Sequence, residues 1–307
     1  MVQNTFNLNT ADNTNIFVYE WLPENKEPEK IIQIIHGMAE HANRYKETAE
    51  FFTYNGFAVY AMDLRGHGKT ANNIENLGFF AEKNGWNTVL NDIVLLTDKI
   101  KYKFPQLPIY LLGHSMGSFF ARAYITKYAN KINGVIISGT SGQRGLLIKL
   151  GKLIALTQGA IKGKHAKSKL LYTMSFKDYN KHFKPTKTEY DWLSRDEQIV
   201  NKYASDEYCG WIPSNRFFYD VFDLMDFIVK KQNINKIPKN LPIFILSGEN
   251  DPVGEFGKGP KRVANDYKKA GLNNLKLKLY PQGRHEMLNE INRQEVLNDI
   301  LQWINSI

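Results

Sequence analysis

The segment Gly113-His114-Ser115-Met116-Gly117 sets a serine between two glycines in a G-x-S-x-G arrangement. It follows an apolar run at residues 109–112 and opens a helical pattern at Met116, the strand–turn–helix setting that this arrangement requires. The reason is steric. A serine lifted on so sharp a turn brings the residues two positions away into contact, and only glycine leaves room at Gly113 and Gly117. A hydroxyl presented in this way suits nucleophilic attack on an acyl carbon, provided a base takes its proton and a third group fixes that base. The expected chain order is serine, acid, histidine. Downstream of Ser115 stand His165, His182 and His285, and His285 alone follows the last strand pattern. The acid is expected at Asp251, in Ser247-Gly248-Glu249-Asn250-Asp251-Pro252 just past an apolar strand, with Glu249 as its competitor. An acyl-transfer intermediate carries an oxyanion, which needs preorganised N–H donors. The amide of Met116, next after the serine, supplies one. The loop His36-Gly37-Met38-Ala39-Glu40-His41 supplies the other, with the Met38 amide as the expected donor and His36 and His41 expected to hold the loop.

These residues need a scaffold, and the apolar pattern describes one. Strands are predicted at residues 16–21, 31–35, 57–62, 109–112, 134–138, 241–247 and 275–280. Helical spacing fills 44–54, 86–102, 116–128, 260–270 and 290–304. Such alternation predicts an α/β fold, a mostly parallel central sheet flanked by helices. The rhythm breaks between 139 and 238, where the patterns are helical only. A structureless stretch of about a hundred residues is implausible within a compact domain. We therefore expect a core in two parts, 1–139 and 239–307, split by a helical cap at 140–238. Ligands of open α/β sheets bind beyond the strand C-termini, so the cap is expected to cover the site.

Composition narrows the classes. Apolar residues at 43% and aromatics at 13% describe a globular chain. No run approaches the roughly 18 apolar residues of a membrane span. The start, Met1 to Phe6, lacks the basic-then-apolar pattern of a signal peptide, and Cys209 is the sole cysteine, so the expected setting is cytoplasmic. The net charge of +9 is concentrated: between Ser141 and Lys187 stand eleven Lys and Arg, Arg144 among them, against the one acid Asp178. That excess leaves peripheral contact with an anionic membrane open beside a simply solvated face. No zinc spacing, RNA-recognition motif or basic region with heptads points to nucleic acid, and no His/Cys/Glu spacing points to a metal. Gly66-His67-Gly68-Lys69-Thr70 ends like a phosphate-binding loop, but the glycine that loop requires five positions before Gly68 is Asp63, so no nucleotide cofactor is expected. The 63–68 turn is expected to be a structural corner near the site.

Taken together, the 36–41 loop, Asp63-Leu64-Arg65-Gly66-His67-Gly68, Gly113–Gly117, 247–252 and Arg284-His285-Glu286 resemble the monoacylglycerol lipase and lysophospholipase group of α/β hydrolases. The resemblance runs from about residue 15 to the C-terminus. It implies a triad of Ser115, Asp251 and His285, oxyanion donors at Met38 and Met116, and a small acyl ester or lipid as substrate. Two rivals stand beside it. An aminopeptidase or amidase would use the same triad, with acids such as Glu189, Asp191, Asp196, Glu197, Asp206 and Glu207 holding a substrate ammonium. A binding protein of the same fold would have lost the chemistry. Ser115 at the elbow excludes the aspartate-nucleophile relatives.

Overall fold

The computed structural model describes residues 1–142 and 145–307. Arg144, counted above in the basic stretch, lies outside the described residues. In chain order the elements begin with strands β1 (Val2–Asn9), β2 (Asn15–Leu22) and β3 (Lys30–Ile35). Helix α1 (Lys46–Tyr54), β4 (Phe57–Met62), α2 (Gly85–Lys103), β5 (Ile109–His114), α3 (Met116–Lys127) and β6 (Gly134–Ser138) follow. Among the described residues, five helices then follow without an intervening strand: α4 (Leu146–Lys162), α5 (Lys169–Phe176), α6 (Glu197–Ser205), α7 (Asn215–Ile228) and α8 (Lys231–Ile234). The chain closes with β7 (Ile243–Gly248), α9 (Lys258–Lys269), β8 (Leu275–Tyr280) and α10 (Arg293–Asn305).

The eight strands form one sheet in the order β1-β2-β4-β3-β5-β6-β7-β8. From β4 to β8 every pairing is parallel, whereas β1 and β2 are added antiparallel at one edge. Strands β3, β4, β5, β6 and β7 are buried almost throughout, so both of their faces must be covered, and they read as largely apolar runs, with the buried Gln33 an interruption in β3. Residues alternate between two cores: Ile31, Leu111 and Ile137 pack on one side with α2 and α3, while Ile32, Leu112 and Ile136 pack on the other with α1 and α10. Successive side chains of a strand leave by opposite faces, which is the cause of this division.

Two elements depart from the expectation. The strand β1 was not predicted: its only buried residue is Leu8, and Asn4 interrupts the apolar alternation of Val2, Phe6 and Leu8. The helix predicted at 44–54 is a 3₁₀ turn over Ala42–Tyr45 followed by α1. Among the described residues, no helix is long and apolar enough to cross a membrane.

The sheet sets the location of the site. Connections leave β3 towards β4 on one side, while β5 pairs on the other, so the strand order reverses between β3 and β5. Loops diverge at such a switch point and leave a crevice beyond the strand ends. The Met38 loop follows β3, and Ser115 follows β5.

Candidate active site

Ser115 has φ 52° and ψ −120°, a conformation that a non-glycine residue occupies at a cost. Neighbours impose it. The Ser115 N–H donates to the Ser138 carbonyl at 2.9 Å, and the Ser118 N–H returns to the Ser115 carbonyl at 2.9 Å. A Cβ on Gly113 would stand 2.3 Å from the Gly117 carbonyl oxygen, and one on Gly117 would stand 2.1 Å from that of Ile35. Both approaches are impossible for any larger residue, as the crowding argument requires. Because Met116 is the first residue of α3, its N–H lies a turn ahead of any helical acceptor and is available to a ligand.

Asp251 and His285 meet at the far side of the crevice. The Asp251 carboxylate is fully buried, with Oδ1 2.9 Å from His285 Nδ1. It is also held by the Val253 N–H at 2.9 Å and the Ser247 hydroxyl at 3.2 Å. Burial would raise the Asp251 pKa, but the His285 charge, its hydrogen bond and the Val253 amide outweigh burial and hold it below the ordinary value. For His285, burial pushes the pKa down, yet the Asp251 charge and hydrogen bond prevail and lift it above 6.5. An ionised Asp251 fixes the proton on Nδ1, which leaves Nε2 as the nitrogen able to accept one. Glu249, the competing acid, is exposed to solvent.

Ser115, His285, Met38 and Met116 line one cavity of about 330 Å³, within the range of small-molecule sites. Its wall is mostly apolar, with Phe119, Leu150, Leu171, Met174 and Phe218 supplied largely by the helices between β6 and β7. Helices between β6 and β7 thus contribute side chains to the cavity wall. His165 is exposed and bonded to Glu82, and His182 is exposed beside the Phe256 ring. His36 is wholly buried, its ring accepting from the Leu64 N–H at 3.0 Å, and burial pushes its pKa down. Asp63 accepts from the Ala42 and Lys69 amides at 2.8 Å, which makes the 63–68 turn the structural corner expected of it.

A buried charge network beneath the site escaped the sequence. The Arg44 guanidinium meets Glu286, next to His285, through two bonds of 2.7 Å, and also pairs with Glu40. Glu40 accepts in turn from the Gly37 N–H at 2.5 Å and from the Tyr45 hydroxyl at 2.9 Å. Burial would raise the Glu40 pKa, but the Arg44 charge overrides it and brings it down to about 2. The loop that carries Met38 and the loop that carries His285 are thus tied to one cation. The only signal was the motif itself, since nothing in the pattern links residues 40, 44 and 286.

The cap is tied to both loops. The amides of His285 and Glu286 donate to the carbonyls of Trp192 and Leu193, and the Trp192 ring lies 5.2 Å from that of His285. The Tyr203 hydroxyl and the Gly210 N–H both donate to the Ala39 carbonyl, at 2.8 and 3.0 Å, and Asp206 pairs with His41 at 2.9 Å. Among the described residues, His41, Asp206 and Cys209 are the one group with ligating atoms close enough for a metal, within 4.8 Å of one another. Burial pushes the Cys209 thiol up, away from the thiolate a metal requires, and His41 is already engaged by Asp206.

The sheet order, the elbow and the cap define the α/β-hydrolase fold. Residues 26–292 match the family described as serine aminopeptidase, S33, and the chain belongs to that family. Within it the chain falls in the monoacylglycerol lipase and lysophospholipase-like group. It is 26% identical over 298 residues to a monoacylglycerol lipase from Mycolicibacterium smegmatis, covering 94% of this chain and 92% of that one. A thermostable carboxyl esterase from Bacillus coagulans, solved in complex with glycerol, superposes with a TM-score of 0.90 at 32% identity, covering 100% of this chain and 99% of that chain. A soluble variant of the monoglyceride lipase from Saccharomyces cerevisiae shares the fold, with a TM-score of 0.78 at 21% identity over 100% of this chain and 96% of that chain.

Proposed function

We propose that the protein is a serine esterase that cleaves lipid-derived carboxylic esters, a monoacylglycerol or lysophospholipid foremost, through an acyl-enzyme. The observation that carries this reading is the buried 2.9 Å pair of Asp251 and His285 opening on the cavity that also holds Ser115. Ser115 Oγ attacks the ester carbonyl as His285 Nε2 takes its proton, and Asp251 stabilises the imidazolium. The amides of Met38 and Met116 receive the oxyanion. Collapse breaks the ester C–O bond, and His285 returns the proton to the departing alcohol. Water then attacks the acyl-serine with His285 again as base, releasing the acid and restoring Ser115.

The apolar wall favours an acyl chain, and the relatives named above as monoacylglycerol lipase and carboxyl esterase agree with this class. The aminopeptidase alternative lacks its anchor. None of Glu189, Asp191, Asp196, Glu197, Asp206 or Glu207 lines the cavity: Asp191 and Asp196 accept from nearby backbone amides, Glu197 pairs with Lys187, and Asp206 with His41. Glu40, Asp178 and Glu286 do line it, but Arg44 already pairs with the two glutamates and Lys181 with Asp178. The test is Ser115→Ala on a panel of nitrophenyl esters from acetyl to palmitoyl, monoacylglycerols and lysophospholipids, with aminoacyl-nitroanilides alongside. Loss of all ester turnover is expected, and unchanged turnover refutes the assignment. Faster cleavage of nitroanilides than esters by the native chain would favour the amidase.

A further inference from the structure

Arg122 lies two turns along α3 from Ser115 and is only 2% exposed. A guanidinium buried so deeply ordinarily meets a carboxylate. Among the described residues none offsets this one: burial pushes its pKa down, and only the Tyr267 hydroxyl opposes that. Its Nε–H has no acceptor among the described residues either. What the side chain does hold is a turn of backbone just past β6. Nη1 donates to the Ser141 carbonyl at 2.8 Å and to the Thr140 hydroxyl oxygen at 3.2 Å. An apolar side chain of similar length would avoid burying an unpaired charge, so stability alone does not account for an arginine at this place.

The turn that Arg122 grips, residues 138–141, touches both halves of the site. Its Ser138 carbonyl accepts the Ser115 N–H at 2.9 Å. Its Gly139, at φ 59°, lies against the His285 ring, where a Cβ would stand 3.1 Å from Cε1 and 3.2 Å from Nδ1. A shift of this turn away from α3 would therefore move the anchor of Ser115 and the support of His285 together. We propose that Arg122 is a positioning residue: by clamping residues 140 and 141 to α3, it fixes His285 relative to Ser115. Arg122 does not line the cavity, so it acts through the turn and not on a substrate. Misplacing reacting groups by about 1 Å can cost on the order of a hundredfold in rate, which gives so remote a clamp a kinetic weight. That kinetic consequence rests on the esterase reading; the clamp on His285 does not.

The experiment compares Arg122→Met, Arg122→Lys and Thr140→Val with the native chain, each with its thermal melt. Position is read without substrate, by NMR, from the low-field Nδ1–H resonance of His285 in histidine-labelled protein. The rate at which a fluorophosphonate labels Ser115 and the kcat and KM for a nitrophenyl ester complete the set. In Arg122→Met the resonance should shift or broaden, and labelling and kcat should fall at least about tenfold while KM stays within about twofold. Arg122→Lys keeps the cation and a donor for the Ser141 carbonyl, so it should recover most of the labelling rate. Because the clamp consists of two bonds, Thr140→Val should move the same resonance, and it decides the matter if Arg122→Met does not fold. A folded Arg122→Met with native resonance and labelling, or with a lower melt alone, overturns the proposal. So does a loss confined to KM, or a native resonance in Thr140→Val. If the native chain cleaves no ester, the esterase reading fails, and the resonance still decides the clamp.

Discussion

Arg44 is the residue whose loss should reveal most about how the site is held. Arg44→Met keeps much of the side-chain volume and removes the cation between Glu40 and Glu286, whose side chains are only 3% and 4% exposed. Breaking a buried pair from one side leaves uncompensated charge and costs about 3–5 kcal/mol. At about 2–3 °C per kcal/mol for a chain of this size, the melting temperature should fall by about 10 °C. The pH dependence sharpens the test. In the native chain the Glu40 pKa is depressed to about 2, below its unfolded value near 4.5, so its contribution is fully present above 4.5 and is lost as the pH falls towards 2. Without Arg44, burial dominates and raises the Glu40 pKa above its unfolded value. The folded variant then binds the proton more readily than its unfolded chain and regains stability as the pH drops. The gap between native and variant should therefore be widest at pH 7.5 and narrower at pH 5.5, read from urea midpoints of both proteins at each pH. Replacing the carboxylates too, as Glu40→Gln and Glu286→Gln with Arg44→Met, should recover most of the loss, because a fully neutral cluster carries no stranded charge. A single variant within about 1 kcal/mol of native at pH 7.5, or a gap that does not narrow, would refute the reasoning.

Two further outcomes test the proposed chemistry. Because His285 titrates above its ordinary 6.5 and acts as base only when deprotonated, ester turnover should fall as the pH drops through that raised value. Asp251→Asn should cut kcat roughly ten-thousandfold and move this limb to lower pH, since burial then acts on His285 against only the charges of Glu286 and Glu40; an unmoved limb would mean that another group titrates. Tyr203→Phe deletes the hydroxyl that holds the Ala39 carbonyl at 2.8 Å from the cap side. It should cost about 1 kcal/mol of stability and lower kcat about fivefold with little change in KM, because the Met38 amide matters most when the oxyanion forms. Equal losses of kcat for acetyl and palmitoyl esters would agree with that; a loss confined to KM would not.

What the sequence made legible follows from the range of the forces involved. Ser115 could be found because its constraint is local: the glycines on either side and the strand before it stand within seven residues of chain. Asp251 and His285 are farther apart, yet each follows a strand whose apolar run announces where it ends, so their order along the chain served in place of distance. Arg44 had no such marker. It looked like the first turn of a helix, and its partners lie four residues and 242 residues away, so only the folded chain shows that one cation serves two loops. The edge strand β1 failed for the opposite reason: backbone pairing with β2 holds it, and pairing places almost no demand on side-chain type. The same logic explains α4. Apolar on nearly every side, it announced a helix but not which face would meet Phe222 and which would meet solvent, and that choice is made by the fit of Gly151 against α7. The exposed leucines are thus a consequence of packing on the inner face: once Gly151 is seated, those at 146 and 153 are left to solvent.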